Sequence, residues 1–507
     1  MSVSGQAAPI EARGSLPPPA GTALGSKDGV FAARIVLLMM LIWTLLPSLL
    51  FHASPLDVIE SGMWGREWIV GSHKHPALPS WFLEISRYLS GGSLGWSAYL
   101  VSALFTGASL WLTYVLVRLL VGEETAVLGM LTLATVEHFS WRSPEFNHDI
   151  AQIPFWVGVP LVAWLAVERG QILLWALLGL VGALGLYAKL SHAVILMVVF
   201  GWLLWDPKAR ANVFKPGPWI ALVVFAIVAI PLVRWLLATD FSAVAFAQER
   251  GRAARSLPEV MLNVALVVSP AVIIILAGRY WPLASQRAEP PAPDARARLY
   301  LGIMTVAPIL LGIALSRAFG SSVRQDWMSP MLCLVPAFVI DRVVPRERLA
   351  GAFERGKKVG LALLIAIPVI YAVAVRVDEY MARSSILRVN WPQEEIAAKL
   401  AAAWEQETHK PLKIVAGHPW LMGLVGINHP DRPSMLLNGE TKLSRWVTPE
   451  RLRREGALVA WQERSGPPAA LQEVLAHRPV KSLTVTLGKG SAARPMTIYY
   501  VVVPPAE

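Results

Sequence analysis

Apolar residues fall along the chain in long runs, without the strict alternation of half-buried strands or the single stripe of a surface helix. Runs at 32–51, 93–118, 123–139, 151–167, 171–188, 190–205, 217–237, 258–278, 299–317, 327–344 and 359–376 predict about eleven helices, each able to cross roughly 30 Å of hydrocarbon. The third and sixth are the shortest. Positive charge orients them. With the N-terminus inside, the loops at 206–216 (Lys208, Arg210, Lys215), 279–298 (Arg279, Arg287, Arg296, Arg298) and 341–358 (Arg342, Arg346, Arg348, Arg355, Lys357, Lys358) all fall on one side. That is the distribution expected when basic loops stay in the cytoplasm. An odd number of spans then places the chain after about Val377 on the outer side.

There the pattern changes. An amphipathic helix is predicted near Pro392–Gln406, and short β-like runs at Lys413–Ala416, Ser482–Leu487 and Thr497–Val503. Residues 377–507 therefore read as a small outer α/β domain behind a transmembrane domain at 31–376. The first 30 residues are rich in Pro, Gly and Ala and read as a disordered cytoplasmic tail, with a full-length span rather than the short apolar core of a cleavable signal after it.

Composition supports the membrane reading: 55% of the 507 residues are apolar, 16% are charged, and there are 21 tryptophans. A water-soluble domain of this size could not hide so much apolar surface. The net charge of +11 lies mostly in short loops between apolar runs, so it sets topology and does not call for nucleic acid. The lone cysteine, Cys333, lies in an apolar run, which excludes disulfides and cysteine metal sites. There is no fixed-period repeat, Walker loop, GxGxxG or HExxH, and the missing P-loop argues against an ATP-driven pump.

Four outer segments carry polar groups that topology does not explain. The first loop, 52–92, contains PLDVIESGMWGREWIVGSHKHPALPSWF. On a helix Asp57, Glu60 and Trp64 share one face, and Lys74-His75-Pro76 presents a cation in a shaped turn. The alternative is an amphipathic segment lying in the interface, anchored by Trp64, Trp68 and Trp81. In the second, EHFSWRSPEFNHDI, Asn147-His148-Asp149 stands before a helix, where Asp149 could serve as an N-cap or in a site. The third, 238–257, holds Arg250, Arg252 and Arg255 against the positive-inside bias; they would bind a phosphate or snorkel to anionic headgroups. The fourth, 317–327, holds Arg317, Arg324 and Asp326, and Lys189 sits between two spans, where an unpaired cation is costly. In the outer domain His418, Asn428, His429 and Asp431 sit in turn-forming company (GHPW, NHPDRP) and read as structural.

Carboxylates and cations held at a membrane surface suit transfer of a sugar from a polyprenyl phosphate. The leaving group is already an anion, so one carboxylate base on the acceptor hydroxyl plus cations on the phosphate suffice. Asp57 would be the base and Glu60 its helper, with Lys74 and some of Arg250, Arg252, Arg255 and Arg324 on the phosphate. A divalent metal on Asp57, Asp149 and His148 is conceivable without a ligand spacing that favours it. The competing readings are a secondary transporter or lipid flippase, and a membrane-anchored binding protein working through its outer domain. Against the transporter, the polar groups cluster in outer loops rather than mid-span, and no matching halves are visible.

The acidic pair after the first helix followed by WGREW…KHPALPSW resembles the bacterial polyprenyl-phosphate-sugar glycosyltransferases of the GT-C fold. It is nearest the family 39 group, which includes protein O-mannosyltransferases and the lipid A aminoarabinose transferase. EFNHDIAQIPFW and GLYAKLSH resemble that group's second outer-loop motif and lysine-bearing helix end. The resemblance covers residues 30–205 well. It implies an inverting transferase at the periplasmic face of the bacterial inner membrane, with Asp57 as the catalytic carboxylate and Lys74 on the lipid phosphate. Asp149, with His148 and Asn147, would lie near acceptor or donor, and His75 and Lys189 beside the phosphate. Donor, acceptor (lipid or glycan rather than protein) and membrane lipids are the implied partners. Two departures, DVIE for an adjacent Asp-Glu and KHP for KPP, weaken the case for a protein acceptor and leave the sugar open.

Overall fold

The computed structural model describes residues 24–92, 94–252, 257–320, 325–463 and 465–506. The N-terminal part is helical. It begins with α1 (Lys27–Leu50), α2 (Leu56–Arg66), α3 (Leu78–Leu89), α4 (Gly95–Val121) and α5 (Glu123–Leu133), and continues with α6 (His148–Arg169), α7 (Ile172–Ala188), α8 (Ala193–Trp205) and α9 (Pro216–Ala238). Then follow α10 (Ser242–Arg252), α11 (Leu257–Tyr280), α12 (Ala295–Ala318), α13 (Val335–Val343) and α14 (Arg346–Met381). Among the described residues six of these, α1, α4, α6, α9, α12 and α14, are long and apolar enough to cross a membrane.

Of the eleven expected spans, those at 171–188 and 190–205 form helices of only 17 and 13 residues, and two others fold differently. The run at 123–139 becomes α5, eleven residues followed by a 3-10 turn at Glu137–Phe139, and the helix covers only about 17 Å at its rise of about 1.5 Å per residue. The run at 327–344 breaks into a 3-10 turn at Ser329–Leu332 and the nine-residue α13. Their apolar character has another cause: α5 is buried from Thr125 to Leu133 inside the helical bundle. Burial among helices and burial in lipid select the same residues.

Charge divides the bundle into two ends. At one, Arg287 clasps Asp28 at 2.7 and 2.9 Å, Arg296 meets Asp206 at 2.7 Å and Glu168 at 2.5 Å, and Arg298 meets Asp341 at 3.0 Å. The basic loops read as cytoplasmic are thus pinned to one another. The other end carries α2, α3 and α10. There the expected interfacial anchors are only partly found. Trp64 is buried, Trp81 donates its indole N–H to the Ile69 carbonyl at 2.8 Å, and Trp68 alone of the three is exposed. The exposed apolar face belongs instead to α3, through Phe82, Ile85, Tyr88 and Leu89.

The C-terminal domain is built on a five-stranded sheet of order β2-β1-β3-β5-β4. Its strands are β1 (Ile414–Gly417), β2 (Ser434–Leu437), β3 (Ala457–Gln462), β4 (Lys481–Leu487) and β5 (Arg494–Val503). β1 runs parallel to β2 and β3, and β5 is antiparallel to β3 and β4. Two further helices flank it, α15 (Gln393–Thr408) and α16 (Pro419–Asn428). The domain docks through α16 onto α2. A Cβ on Gly423 would lie 2.3 Å from the Ile59 side chain, and one on Gly426 would lie 2.3 Å from the end of the Met63 side chain, so larger residues there would force these side chains to move. Arg432 adds two hydrogen bonds to the Glu84 carboxylate at 2.7 and 2.6 Å.

Candidate active site

Asp57 sits in the first turn of α2 behind Pro55, where the helix N-terminus favours a carboxylate. Its Oδ2 accepts the amide of Asn147 at 3.1 Å. The same Asn147 turns its Oδ1 to the N–H groups of Asp149 and Ile150, at 3.0 and 3.1 Å. Asn147, not Asp149, is therefore the N-cap of α6, and capping fixes the amide face offered to Asp57. Among the described residues no cation pairs with Asp57.

The Lys74 turn is shaped by its own backbone. Gly71 and Pro76 form an antiparallel bridge, the Ser72 N–H donates to the His75 carbonyl at 2.8 Å, and the Ser72 hydroxyl accepts from the N–H of Lys74 and of His75, both at 3.2 Å. Gly71 lies against Trp235 of α9, where a Cβ would approach to 2.4 Å. Held this way, the Lys74 ammonium meets Glu60 Oε1 at 2.6 Å, between the rings of Trp64 and Phe246 at 6.0 and 5.8 Å. Glu60 is thus the counter-ion of Lys74; it lines the same cavity as Asp57 but is not bonded to it among the described hydrogen bonds. Burial pushes the Glu60 carboxyl above the ordinary range, against the opposing pull of Lys74.

A second ion pair joins Lys189, at the C-terminal end of α7, to Asp149. Asp149 also accepts from the Gln152 amide at 3.3 Å, and Gln152 accepts the Ser191 hydroxyl at 2.9 Å. His148 bonds the Pro76 carbonyl through Nε2 at 3.0 Å and stacks on His75 with ring centres 4.2 Å apart. Burial, and after it the neighbouring His148, Lys189 and Lys74, hold His75 well below the usual histidine range.

Asp57, Glu60, Lys74, His75, Asn147, His148, Asp149, Lys189 and Arg250 line one cavity of about 360 Å³, beneath α10. Arg250 reaches it beside Phe246, its guanidinium 5.7 Å from the ring centre. Arg252 is exposed and does not line the cavity, because one α10 face cannot carry two arginines only two residues apart. Arg255 and Arg324 lie outside the described residues. Sequence reasoning missed Arg142 and Trp327, which also line the cavity. Arg142 is steered by Glu137 and Glu145, each at 3.3 Å. Its signal was available, since it is an arginine in a segment read as outer, within the motif containing Asn147. Asp57, His148 and Asp149 are turned to different partners, and among the described residues no group of three His, Cys, Asp or Glu side chains could hold a metal ion.

The cavity adjoins an apolar groove of about 210 Å³ between α8, α10 and α12, walled by Val194, Leu315, Phe319 and Met331 and sharing Ser191, Val244 and Trp327 with it. A polar, cation-rich chamber opening on an apolar groove between helices is the shape of a site for an amphiphile with an anionic head.

Comparison with known proteins carries the same pattern. A family model described as dolichyl-phosphate-mannose-protein mannosyltransferase matches residues 74–235, from the Lys74 turn to the end of α9. The undecaprenyl phosphate-alpha-4-amino-4-deoxy-L-arabinose arabinosyl transferase 1 of Pseudomonas fluorescens Pf0-1 is 29% identical over 36% of this chain and 33% of its own length. The lipopolysaccharide core galacturonosyltransferase RgtA of Rhizobium johnstonii is 23% identical over 80% of this chain and 81% of its own length. In fold, the chain superposes on ArnT from Cupriavidus metallidurans bound to undecaprenyl phosphate with a TM-score of 0.60, covering 94% of this chain and 98% of that one at 13% identity. The chain shares its fold with ArnT and is similar to glycosyltransferases of the GT-C fold, family 39 group. The match to the arabinosyl transferase spans about a third of that relative, and the family model covers the residues that carry Asn147, Asp149 and Lys189.

Proposed function

We propose that the protein is an inverting glycosyltransferase that moves a sugar from a polyprenyl-phosphate donor to a lipid or glycan acceptor at the periplasmic face of a bacterial inner membrane. One observation carries the reading. A carboxylate with no cation partner among the described residues, Asp57, shares a cavity with Lys74, Arg142, Lys189 and Arg250, and that cavity opens on an apolar groove. The relatives support it by name, since they are transferases of sugars, one from an undecaprenyl phosphate donor.

In the proposed reaction Asp57 takes the proton of the acceptor hydroxyl as that oxygen bonds to the anomeric carbon. The bond from that carbon to the phosphate oxygen breaks on the opposite face, and the polyprenyl phosphate leaves with the bonding pair. The cations hold the charge that grows on the leaving oxygen. Asn147 keeps Asp57 oriented, leaving Oδ1 for the acceptor. The isoprenoid tail lies in the apolar groove, which is why the work belongs in a membrane protein.

The test follows sugar loss from polyprenyl-phosphate-linked sugars extracted from the source membranes, by mass spectrometry, using purified protein with and without a crude lipid and glycan acceptor fraction. Acceptor-dependent loss is expected, falling by about 10²–10⁴-fold in Asp57→Asn, the contribution typical of a general base. Near-normal turnover in that variant would remove Asp57 from the reaction, and no loss with any acceptor would overturn the transferase reading.

A further inference from the structure

The C-terminal domain holds a cavity of its own, of about 160 Å³, which the reaction proposed above does not use. Three tryptophans wall it: Trp391 from the segment before α15, Trp420 from the first turn of α16, and Trp461 from the end of β3. Trp391 and Trp420 stand edge to face with ring centres 5.5 Å apart, and Trp461 is braced from behind by the stacked ring of Tyr499. The polar lining is small: Arg388, His418 and Gln462, with Ser465 at the mouth. Arg388 lays its guanidinium over the Trp420 ring at 5.3 Å and has no carboxylate partner among the described residues. His418 accepts the backbone N–H of Trp420 on Nδ1 at 3.2 Å, which leaves Nε2 to donate.

We infer that this cavity is a carbohydrate subsite for one acidic sugar residue of the acceptor, a hexose ring carrying a carboxylate or phosphate. Flat aromatic walls suit the C–H faces of a pyranose, which is apolar on its faces and polar around its rim. The rim would meet Gln462 and the Nε2–H of His418. Arg388 would take the anionic substituent, because a guanidinium fixed on an aromatic face offers its N–H fork in one orientation to a planar or tetrahedral oxyanion. The volume holds one ring rather than an oligosaccharide.

Position supports an acceptor role. Along the α2–α16 contact Ile59 meets Gly423 and Met63 meets Gly426, so the two helices run in the same direction. The N-terminal end of α16, with His418 and Trp420, therefore lies toward the N-terminal end of α2, with Asp57. Lys74 is close enough for its charge to act on His418. A glycan anchored in the tryptophan cavity would extend toward the Asp57 chamber, opposite the lipid-tail groove.

The subsite rests on the transferase reading only for its role as acceptor site, so binding and transfer are measured separately. Binding is read from intrinsic tryptophan fluorescence of the full-length protein in detergent, titrated with galacturonate, galactose and inorganic phosphate. Galacturonate is expected to saturate the signal at least about tenfold more tightly than either control, since each half of the recognition supplies about 1.4 kcal/mol or more. Arg388→Gln should bring galacturonate to the level of galactose, and Trp461→Ala should abolish saturation. In the transfer assay both variants should raise the acceptor KM and leave the donor KM unchanged. Asp57→Asn should bind galacturonate as the wild type does while failing to transfer. No saturable galacturonate response, or one indifferent to both substitutions, would overturn the subsite even if transfer is intact. Phosphate binding as tight as galacturonate would reduce it to an anion site and overturn the sugar assignment. Binding that behaves as expected in a protein without transferase activity would sustain the subsite and overturn only its acceptor role.

Discussion

Lys74 has two possible duties, neutralising Glu60 and holding a phosphate, and a paired substitution separates them. Lys74→Met keeps the stem and removes the ammonium, leaving Glu60, whose side chain is only 10% exposed, with no cation at 2.6 Å. Breaking one partner of a buried pair costs about 3–5 kcal/mol. Lys74 itself is 24% exposed, so the lower end, about 3 kcal/mol, is expected as a lowered apparent Tm in detergent. The loss should depend on pH. Burial already raises the Glu60 pKa, and removing the ammonium raises it further. A carboxyl whose folded pKa is raised supplies its stability below the unfolded value and loses it as pH rises through the folded value. Lys74→Met should therefore be less impaired at about pH 5 than at about pH 8. Adding Glu60→Gln removes the orphan charge, and the double variant should recover most of the Tm. Donor binding should not recover: a lost charged hydrogen bond to phosphate is worth about 1.5–3 kcal/mol, or roughly 10- to 150-fold in donor KM. A double variant with wild-type donor KM would refute the phosphate role and leave Lys74 as a counter-ion only.

Asn147→Asp preserves a good N-cap for α6 but sets a second carboxylate 3.1 Å from Asp57. The acid limb of the pH–rate profile should then move to higher pH, because two close carboxylates cannot both ionise easily; an unmoved limb would separate Asn147 from the acid–base chemistry. His73, pushed down to about 4 by burial and by Lys74, must gain a proton as the fold is acidified. A depressed folded pKa gives stability that is present above the unfolded value near 6.5 and is lost as pH falls toward 4. Thermal unfolding scans should show Tm falling across that window, with a shallower fall in His73→Gln, and parallel curves would assign the acid sensitivity elsewhere.

Asp57 and Lys74 were legible in the sequence because each is a charge in a Pro- and Gly-shaped loop directly beyond an apolar run, where a membrane protein has little reason to place one. Their partners were not. Nothing local says that Lys74 folds back across fourteen residues to Glu60, or that Asn147 reaches ninety residues to Asp57. Arg142 was passed over because attention in its segment went to Asn147-His148-Asp149, and its pairing with Glu137 and Glu145 becomes visible only in the fold. In the C-terminal domain β1, β4 and β5 showed themselves, whereas β3, ALVAWQ, is buried on both faces and has no alternation to read. β2, SMLL, is four buried residues directly after a turn and likewise has no alternation. The apolar runs overstated the spans for the reason seen in α5, since an interior helix and a lipid-facing one have the same composition.

The change of composition near Val377 is not a mechanical boundary. α14 continues to Met381 and carries Glu379, buried to 1% exposure and met by His52 at 2.8 Å, Arg376 at 2.6 Å and Lys489 at 2.7 Å. One carboxylate thus ties the end of α1, the end of α14 and the C-terminal sheet together. The backbone N–H groups of His52 and Ala53 donate to the Val389 carbonyl at 2.8 and 2.9 Å, closing the same seam. Val58, Ile59 and Met63 of α2 share one buried cluster with Trp420, Leu424 and Val425 of α16. α2 carries Asp57 and Glu60, so the surface that positions the candidate base is half made by the C-terminal domain. A domain appended only to guide acceptors would need no glycine-tight contact with the helix that bears the carboxylate, and removing it would expose that helix's apolar face. The C-terminal domain is accordingly part of the scaffold of the site, and acceptor recognition on its tryptophan cavity would be coupled to Asp57 through a single rigid helix pair.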